Sequence, residues 1–335
     1  MAGDTWIVTA YFNPCGYATK KRNFDLFAAR LQSIDAPLRV IEMATEGGAF
    51  ELDEEHVAIR VRGDGVMWQK ERLLNLAIAS LPAACRKVVW LDCDLLFEDD
   101  EWLDKTSDAL DHFVVVQPFS ACVRLPRGHL ALDVEVRGSG VEEGQLAESF
   151  AAACARDRSL AHLVLSPDHG HTGFAWAARR ELLEACPLYD ACLSGSGDHL
   201  MAHVFAGAPD AICIPAMIGA GHPYADHFAR WAAQVDRLVG GRLGYVHGRV
   251  LHLWHGNRAG RRYRQRNQEF KTFGFDPDRH IRRGGENGLW EWADAPAAMR
   301  AWASEMFASR HEDGDDVSPA GVAACGSGGH DRSGQ

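Results

Sequence analysis

Lys87-Val88-Val89-Trp90-Leu91-Asp92-Cys93-Asp94-Leu95-Leu96-Phe97 is the stretch from which the fold can be read. Its first half is apolar and β-branched, which predicts a strand. Two aspartates separated by one residue end the run, and an apolar segment resumes behind them. Side chains alternate along a strand, so Asp92 and Asp94 would point the same way while the chain stays extended. Two like charges side by side are costly unless solvent or a cation shares them. A hard divalent ion such as Mn²⁺ or Mg²⁺, carrying phosphate oxygens, suits such ligands. The plainer alternative is a strand-end turn with two solvated carboxylates.

Working outward, residues 5–12, 38–44, 57–61 and 113–117 also predict strands. Residues 20–33 and 68–80 have apolar positions at helical spacing, and an acidic helix begins near residue 99. Strands alternating with helices imply βαβ units, hence a Rossmann-like α/β fold with a mostly parallel central sheet flanked by helices. Ligands of such sheets bind beyond the carboxyl ends of the strands. Both Asn13-Pro14-Cys15-Gly16 and Asp92-Cys93-Asp94 fall at strand ends. Past residue 120 the pattern loosens: helices over 142–156, 179–185, 198–206, 225–239 and 261–270, and strands over 171–176 and 249–255. Residues 1–310 read as one catalytic domain with halves divided near residue 120. Residues 311–335 are Asp-, Gly- and Ser-rich and predict a disordered tail.

The 335 residues are 47% hydrophobic and 24% charged, ordinary for a globular protein. No window approaches the ~18 apolar residues of a membrane span, and residues 1–6 lack a secretory pattern. No membrane partner and a cytoplasmic location are therefore expected. The nine scattered cysteines predict reduced, buried thiols. A net charge of −11 argues against nucleic acid as a general partner.

From about residue 5 to 270 the chain resembles the nucleotide-sugar glycosyltransferases of the GT-A fold, the galactosyltransferase and family-2-like group. The resemblance rests on elements in order: Ala10-Tyr11-Phe12-Asn13, Gln69-Lys70-Glu71-Arg72-Leu73-Leu74-Asn75, Asp92-Cys93-Asp94, Thr172-Gly173-Phe174-Ala175-Trp176, Gly195-Ser196-Gly197-Asp198, and His252-Leu253-Trp254-His255. It implies a metal-dependent transfer from a nucleotide-diphosphate sugar, a UDP-sugar with a GDP-sugar as the other candidate. The acceptor would be a hydroxyl of a glycan, small molecule, protein or modified nucleic acid.

Position by position, the resemblance assigns Thr9, Ala10, Tyr11 and Phe12 to the nucleoside base. Lys70, Arg72 and Asn75 fall to the ribose and phosphates, and Gly173 to the sugar. Asp92 goes to the ribose or a metal-bound water, and Asp94 to a Mn²⁺ or Mg²⁺ whose shell His252 or His255 completes. Asp198 would be the base of an inverting reaction, although the family's usual Glu-Asp pair is here Gly197-Asp198. A helix cap is the alternative for Asp198.

Sugar transfer builds negative charge on a departing diphosphate, which cations stabilise. Arg258, Arg261, Arg262, Arg264 and Arg266 follow the histidines, and Arg258 is assigned to the diphosphate, with a solvated helix face the alternative for most of the five. Trp68 and Trp176 are stacking platforms or core. His169 and His171 read as loop or core histidines, with a second metal site beside Asp168 as the alternative. A sugar-phosphate nucleotidyltransferase shares the α/β design, yet Asn13-Pro14-Cys15-Gly16-Tyr17 is neither glycine-rich nor basic. An inactive carbohydrate-binding relative is the non-enzymatic alternative.

Overall fold

The computed structural model describes residues 3–132, 144–163 and 168–314. The chain runs through β1 (Thr5–Phe12), α1 (Ala18–Ser33), β2 (Leu38–Thr45), β3 (Ile59–Gly63), α2 (Lys70–Ala79), β4 (Lys87–Leu91), β5 (Leu95–Phe97), α3 (Trp102–His112) and β6 (Val115–Gln117). Then follow β7 (Ala121–Arg124), β8 (Leu146–Glu148), β9 (Ala175–Arg179), β10 (Leu243–Tyr245) and β11 (Arg249–His252).

The principal sheet has seven strands in the order β10-β6-β9-β4-β1-β2-β3. β1 pairs in parallel with β2 and β4, and β6 with β10, whereas β9 is antiparallel to β4 and β6. The expected mostly parallel α/β sheet is therefore present. β9 and β10 come from beyond residue 120 yet join strands from before it, so that boundary does not separate two bodies.

Alternation on β4 sorts its side chains between two cores. Val88 and Trp90 join Val8, Trp176 and Ala178 on one face, and Val89 and Leu91 join Ile7, Ala175 and Ala177 on the other. This double burial is why the stretch reads as an unbroken apolar run. Trp90 lies opposite Trp176 in the β4–β9 register, and both meet the ring of Phe205. Trp90→Ala should cost about 3–5 kcal/mol.

A smaller sheet, β5-β11-β7-β8, stands at the end of β4. β11 is antiparallel to β5 and parallel to β7, which sets the histidine end of β11 beside the chain leaving Asp94. Residues 146–148 are strand rather than part of a helix. The helix Phe150–Arg156 begins only after Ser149, whose hydroxyl accepts from the Ala152 amide at 3.2 Å. The strand expected over 171–176 begins at Ala175, because Phe174 has φ +81°. The helix expected over 261–270 is broken at Arg262, with φ +46°.

The eight described cysteines form no disulfide with one another. No helix among the described residues is long and apolar enough to cross a membrane. Residues 311–314 correct the tail expectation. Glu312 is buried on Arg310, and Asp313 accepts from the Ala18 and Thr19 amides at 3.0 and 2.7 Å, capping α1. Residues 315–335 lie outside the described residues.

Candidate active site

The site is built on the turn that ends β4. The Asp92 amide donates to the Phe174 carbonyl at 2.8 Å, and the Leu253 amide donates to the Asp94 carbonyl at 2.9 Å. The turn is thus held from both sides, by the chain entering β9 and the chain leaving β11. Because β4 stops at Leu91, strand alternation no longer governs the aspartates, and they do not share a partner. Asp92 Oδ1 accepts from Lys70 Nζ at 2.9 Å, while Asp94 Oδ2 lies 3.2 Å from His255 Nε2 and 3.7 Å from His252 Nε2. Asp92 is outside the compact Asp94–His252–His255 ligand group.

Lys70 Nζ also donates to Asp198 Oδ2 at 2.7 Å, so one ammonium bridges two carboxylates from different elements. Burial raises the Asp198 carboxyl above its ordinary value, Lys70 opposes this, and Asp92 adds to it. A Cβ on Gly173 would meet His171 Cε1 at 3.3 Å and lie 3.8 Å from Asp198 Oδ2, so this glycine borders both side chains.

Burial likewise lifts the Asp94 carboxyl to about 7, with Asp92 adding and Arg261 and Lys20 opposing. Asp94 Oδ1 is buried with no hydrogen-bond partner. Burial, then His255, Arg124 and Arg261, holds His252 well below its ordinary value, and burial, then Arg261, holds His255 down to about 3, so both imidazoles are neutral near pH 7. Neutral imidazoles, a carboxylate and an orphaned oxygen fit a divalent cation. Phe174 is sandwiched between His171 and His252, at centroid distances of 4.0 and 4.6 Å. Its left-handed backbone is uncommon for a bulky residue.

Several expected donor contacts are corrected. Thr9 is fully buried with its hydroxyl on the Leu91 carbonyl at 2.8 Å, and buried Tyr11 donates to Glu51 at 2.5 Å. Phe12 packs on Phe307, and Ala10 lies against the same core. The end of β1 is therefore largely core, with Ala10 partly buried. In α2, Lys70 faces the site, but a helix turns about 100° per residue. Arg72 and Asn75 therefore face away. Arg72 donates to the Gly288 carbonyl and Asp190, while Asn75 clamps the Leu188 backbone and Asp190. Trp176 is core, and Trp68 stacks on Phe307 beneath Arg310.

The Arg258 side chain lies outside the described residues. Arg261 and Arg266 turn inward, while Arg262 and Arg264 are exposed. Arg261 Nη2 donates to the His255 carbonyl at 2.8 Å. Arg266 is buried with Nε and Nη1 unpartnered. Arg261, Arg266, Arg310 and Arg124 together outweigh the effect of burial on Tyr263 and lower its phenol. Four guanidinium groups thus act on Tyr263, and Arg124, Arg261 and Arg310 also act on His252 or His255.

Two residues were not legible in advance. Glu71 lies on α2 with its carboxylate over Gly197, where an added Cβ would meet Glu71 Oε1 at 2.6 Å. The Glu71 carboxylate thus occupies the space over position 197. Burial lifts Glu71 to about 8, with Lys70 opposing. Its signal was an acid on the apolar side of an amphipathic helix. Glu312 comes within 3.7 Å of His255 Nδ1 from a segment whose composition reads as a tail. No local signal marks it.

No family model and no curated protein matches this chain. Solved structures similar to it include a 4-diphosphocytidyl-2C-methyl-D-erythritol synthase from Anaerococcus prevotii, with 11% identity, TM-score 0.33, and 73% of this chain and 87% of that one covered. A glucose-1-phosphate thymidylyltransferase from Bacillus anthracis has 10% identity and TM-score 0.32, covering 81% and 96%. Mouse xyloside xylosyltransferase 1 has 13% identity and TM-score 0.25, covering 74% and 96%. Likeness at this level supports no inference about activity.

Proposed function

We propose that the protein is a glycosyltransferase that moves a sugar from a nucleotide-diphosphate donor to an acceptor hydroxyl with inversion. One observation carries the reading. The turn 92–94 hands one carboxylate to Lys70 and Asp198 and the other to His252 and His255. This supports a proton acceptor and a cation-holding group on either side of a single strand end.

In this reading Asp198 takes the acceptor's hydroxyl proton as the oxygen bonds to the anomeric carbon. The bond from that carbon to the phosphate oxygen breaks, and nucleoside diphosphate leaves with the electron pair. Lys70 orients Asp198 and keeps Asp92 in place. Arg261 and Arg266 face the departing charge, and the two unpartnered nitrogens of Arg266 suit phosphate oxygens. Gly173 admits the sugar to Asp198. Asp94, His252 and His255 would hold Mn²⁺ or Mg²⁺, which supplies further positive charge to the diphosphate. UDP-sugars come first among donors, then GDP-sugars.

The test is a thermal-shift panel of nucleotide diphosphates and their sugars with and without Mn²⁺, followed by transfer or donor hydrolysis with the stabilising sugar. Metal-dependent release of nucleoside diphosphate that disappears in Asp94→Asn supports the reading. Pyrophosphate release from sugar 1-phosphate and nucleoside triphosphate would replace it with nucleotidyl transfer. Binding without turnover would leave a carbohydrate-binding protein.

A further inference from the structure

His199 and His203 are four residues apart in the helix Gly197–Phe205, so their rings share one face a turn apart. His169 meets them from the loop before β9. The three ring centroids are 4.8, 4.9 and 5.0 Å apart. One nitrogen from each ring lies within 4.8 Å of the other two. His171, the sequence neighbour that promised to join His169, lies instead with Phe174 and Arg124, and Asp168 is exposed.

The outer nitrogens fix how two of the rings present themselves. His203 Nδ1 lies 2.6 Å from the Ala161 carbonyl and His169 Nδ1 lies 3.0 Å from the Gly170 carbonyl. A carbonyl only accepts, so both Nδ1 atoms carry the proton and both Nε2 atoms carry a lone pair. Among the described residues, His169 Nε2 and His199 Nε2 are buried with no hydrogen-bond partner. The third, His203 Nε2, has only the Cys213 thiol, 3.2 Å away.

We propose that His169, His199 and His203 form a second metal site, a cage of three imidazoles for Zn²⁺. The ion would satisfy nitrogens that otherwise go unpaired, an arrangement that native interiors avoid. Ligating imidazoles typically donate their other N–H to a carbonyl or carboxylate, as His169 and His203 do here. No carboxylate belongs to this ligand group, so its chemistry matches zinc and not Mg²⁺ or Mn²⁺. The site ties the loop leading to Gly173 to the helix that begins beside Asp198. It binds metal whether or not the protein transfers sugar.

The test is metal content of the tag-free, full-length protein, equilibrated with Zn²⁺ and dialysed without chelator. About one zinc per chain is expected in the wild type and in Asp94→Asn. It should fall to background in His199→Gln and His203→Gln, with circular dichroism confirming that both fold. Replacing zinc with Co²⁺ should give the intense visible bands of a tetrahedral site. Should both histidine variants fail to fold, the wild type and Asp94→Asn still decide the matter. A wild type that retains no zinc overturns the proposal, as does zinc lost in Asp94→Asn but kept in the histidine variants.

Discussion

Lys70 Nζ lies 2.7 Å from Asp198 Oδ2 and joins the first turn of α2 to the first turn of the helix Gly197–Phe205. The contact does more than tie two helices. Burial and Asp92 both raise the Asp198 carboxyl, and Lys70 holds that rise in check. Lys70→Met should therefore move the acid limb of the kcat/KM profile to higher pH. Lys70→Arg should restore most of the original position. An acid limb that stays put in Lys70→Met would show that Lys70 does not tune Asp198.

Asp198→Asn preserves the side chain's shape but cannot accept a proton near neutral pH. Transfer should fall by roughly two to four orders of magnitude while donor affinity holds. Asparagine caps helices nearly as well as aspartate, so a purely structural role predicts unchanged turnover. Initial rates and product stereochemistry by NMR decide, and near-normal transfer or retention at the anomeric carbon would remove Asp198 from the mechanism.

Glu71 gives the fold a pH dependence of defined sign. Its carboxyl, raised from 4.5 to about 8, binds its proton more tightly in the folded chain than in the unfolded one. Its contribution is fullest below about 4.5 and declines as pH rises toward 8. Glu71→Gln keeps an acceptor for Trp68 Nε1, which donates to Glu71 Oε2 at 3.2 Å. Thermal melts from pH 5 to pH 9 should show a shallower loss of stability in the variant, with its melting temperature above wild type at the alkaline end. Parallel curves would contradict the protonated state of Glu71.

Ending the chain at Arg310 should be strongly destabilising. The truncation removes Glu312 and leaves buried Arg310 unpaired, a loss of about 3–5 kcal/mol. It also removes the cap that Asp313 gives α1, about 1 kcal/mol more. A chain ending at Gly314 should melt with the full-length protein. Equal melting of the two truncations in differential scanning calorimetry would show that residues 311–314 contribute nothing.

The sequence by itself determined the sheet. The run 87–91 had to be a strand because its apolar side chains serve two cores, and the alternation of such runs with helical patterns set the α/β order. It also located the strand end at Asp92-Cys93-Asp94, beside which the structure gathers Lys70, Asp198, His252 and His255. Backbone periodicity and residue chemistry are local quantities, and they survive in one dimension.

Only the tertiary structure decided which of these residues meet. The division of labour between Asp92 and Asp94 depends on a turn clamped by Phe174 and Leu253, distant in sequence. The rotation of α2 separated Lys70 from Arg72 and Asn75, which a motif had joined. Glu71 filled the space over Gly197, and His169 found His199 and His203 rather than His171. Burial, which sets the protonation of Asp94, Glu71 and the histidines, is a property of the packed chain. No local pattern encodes it, because it depends on what the rest of the fold lays over each side chain.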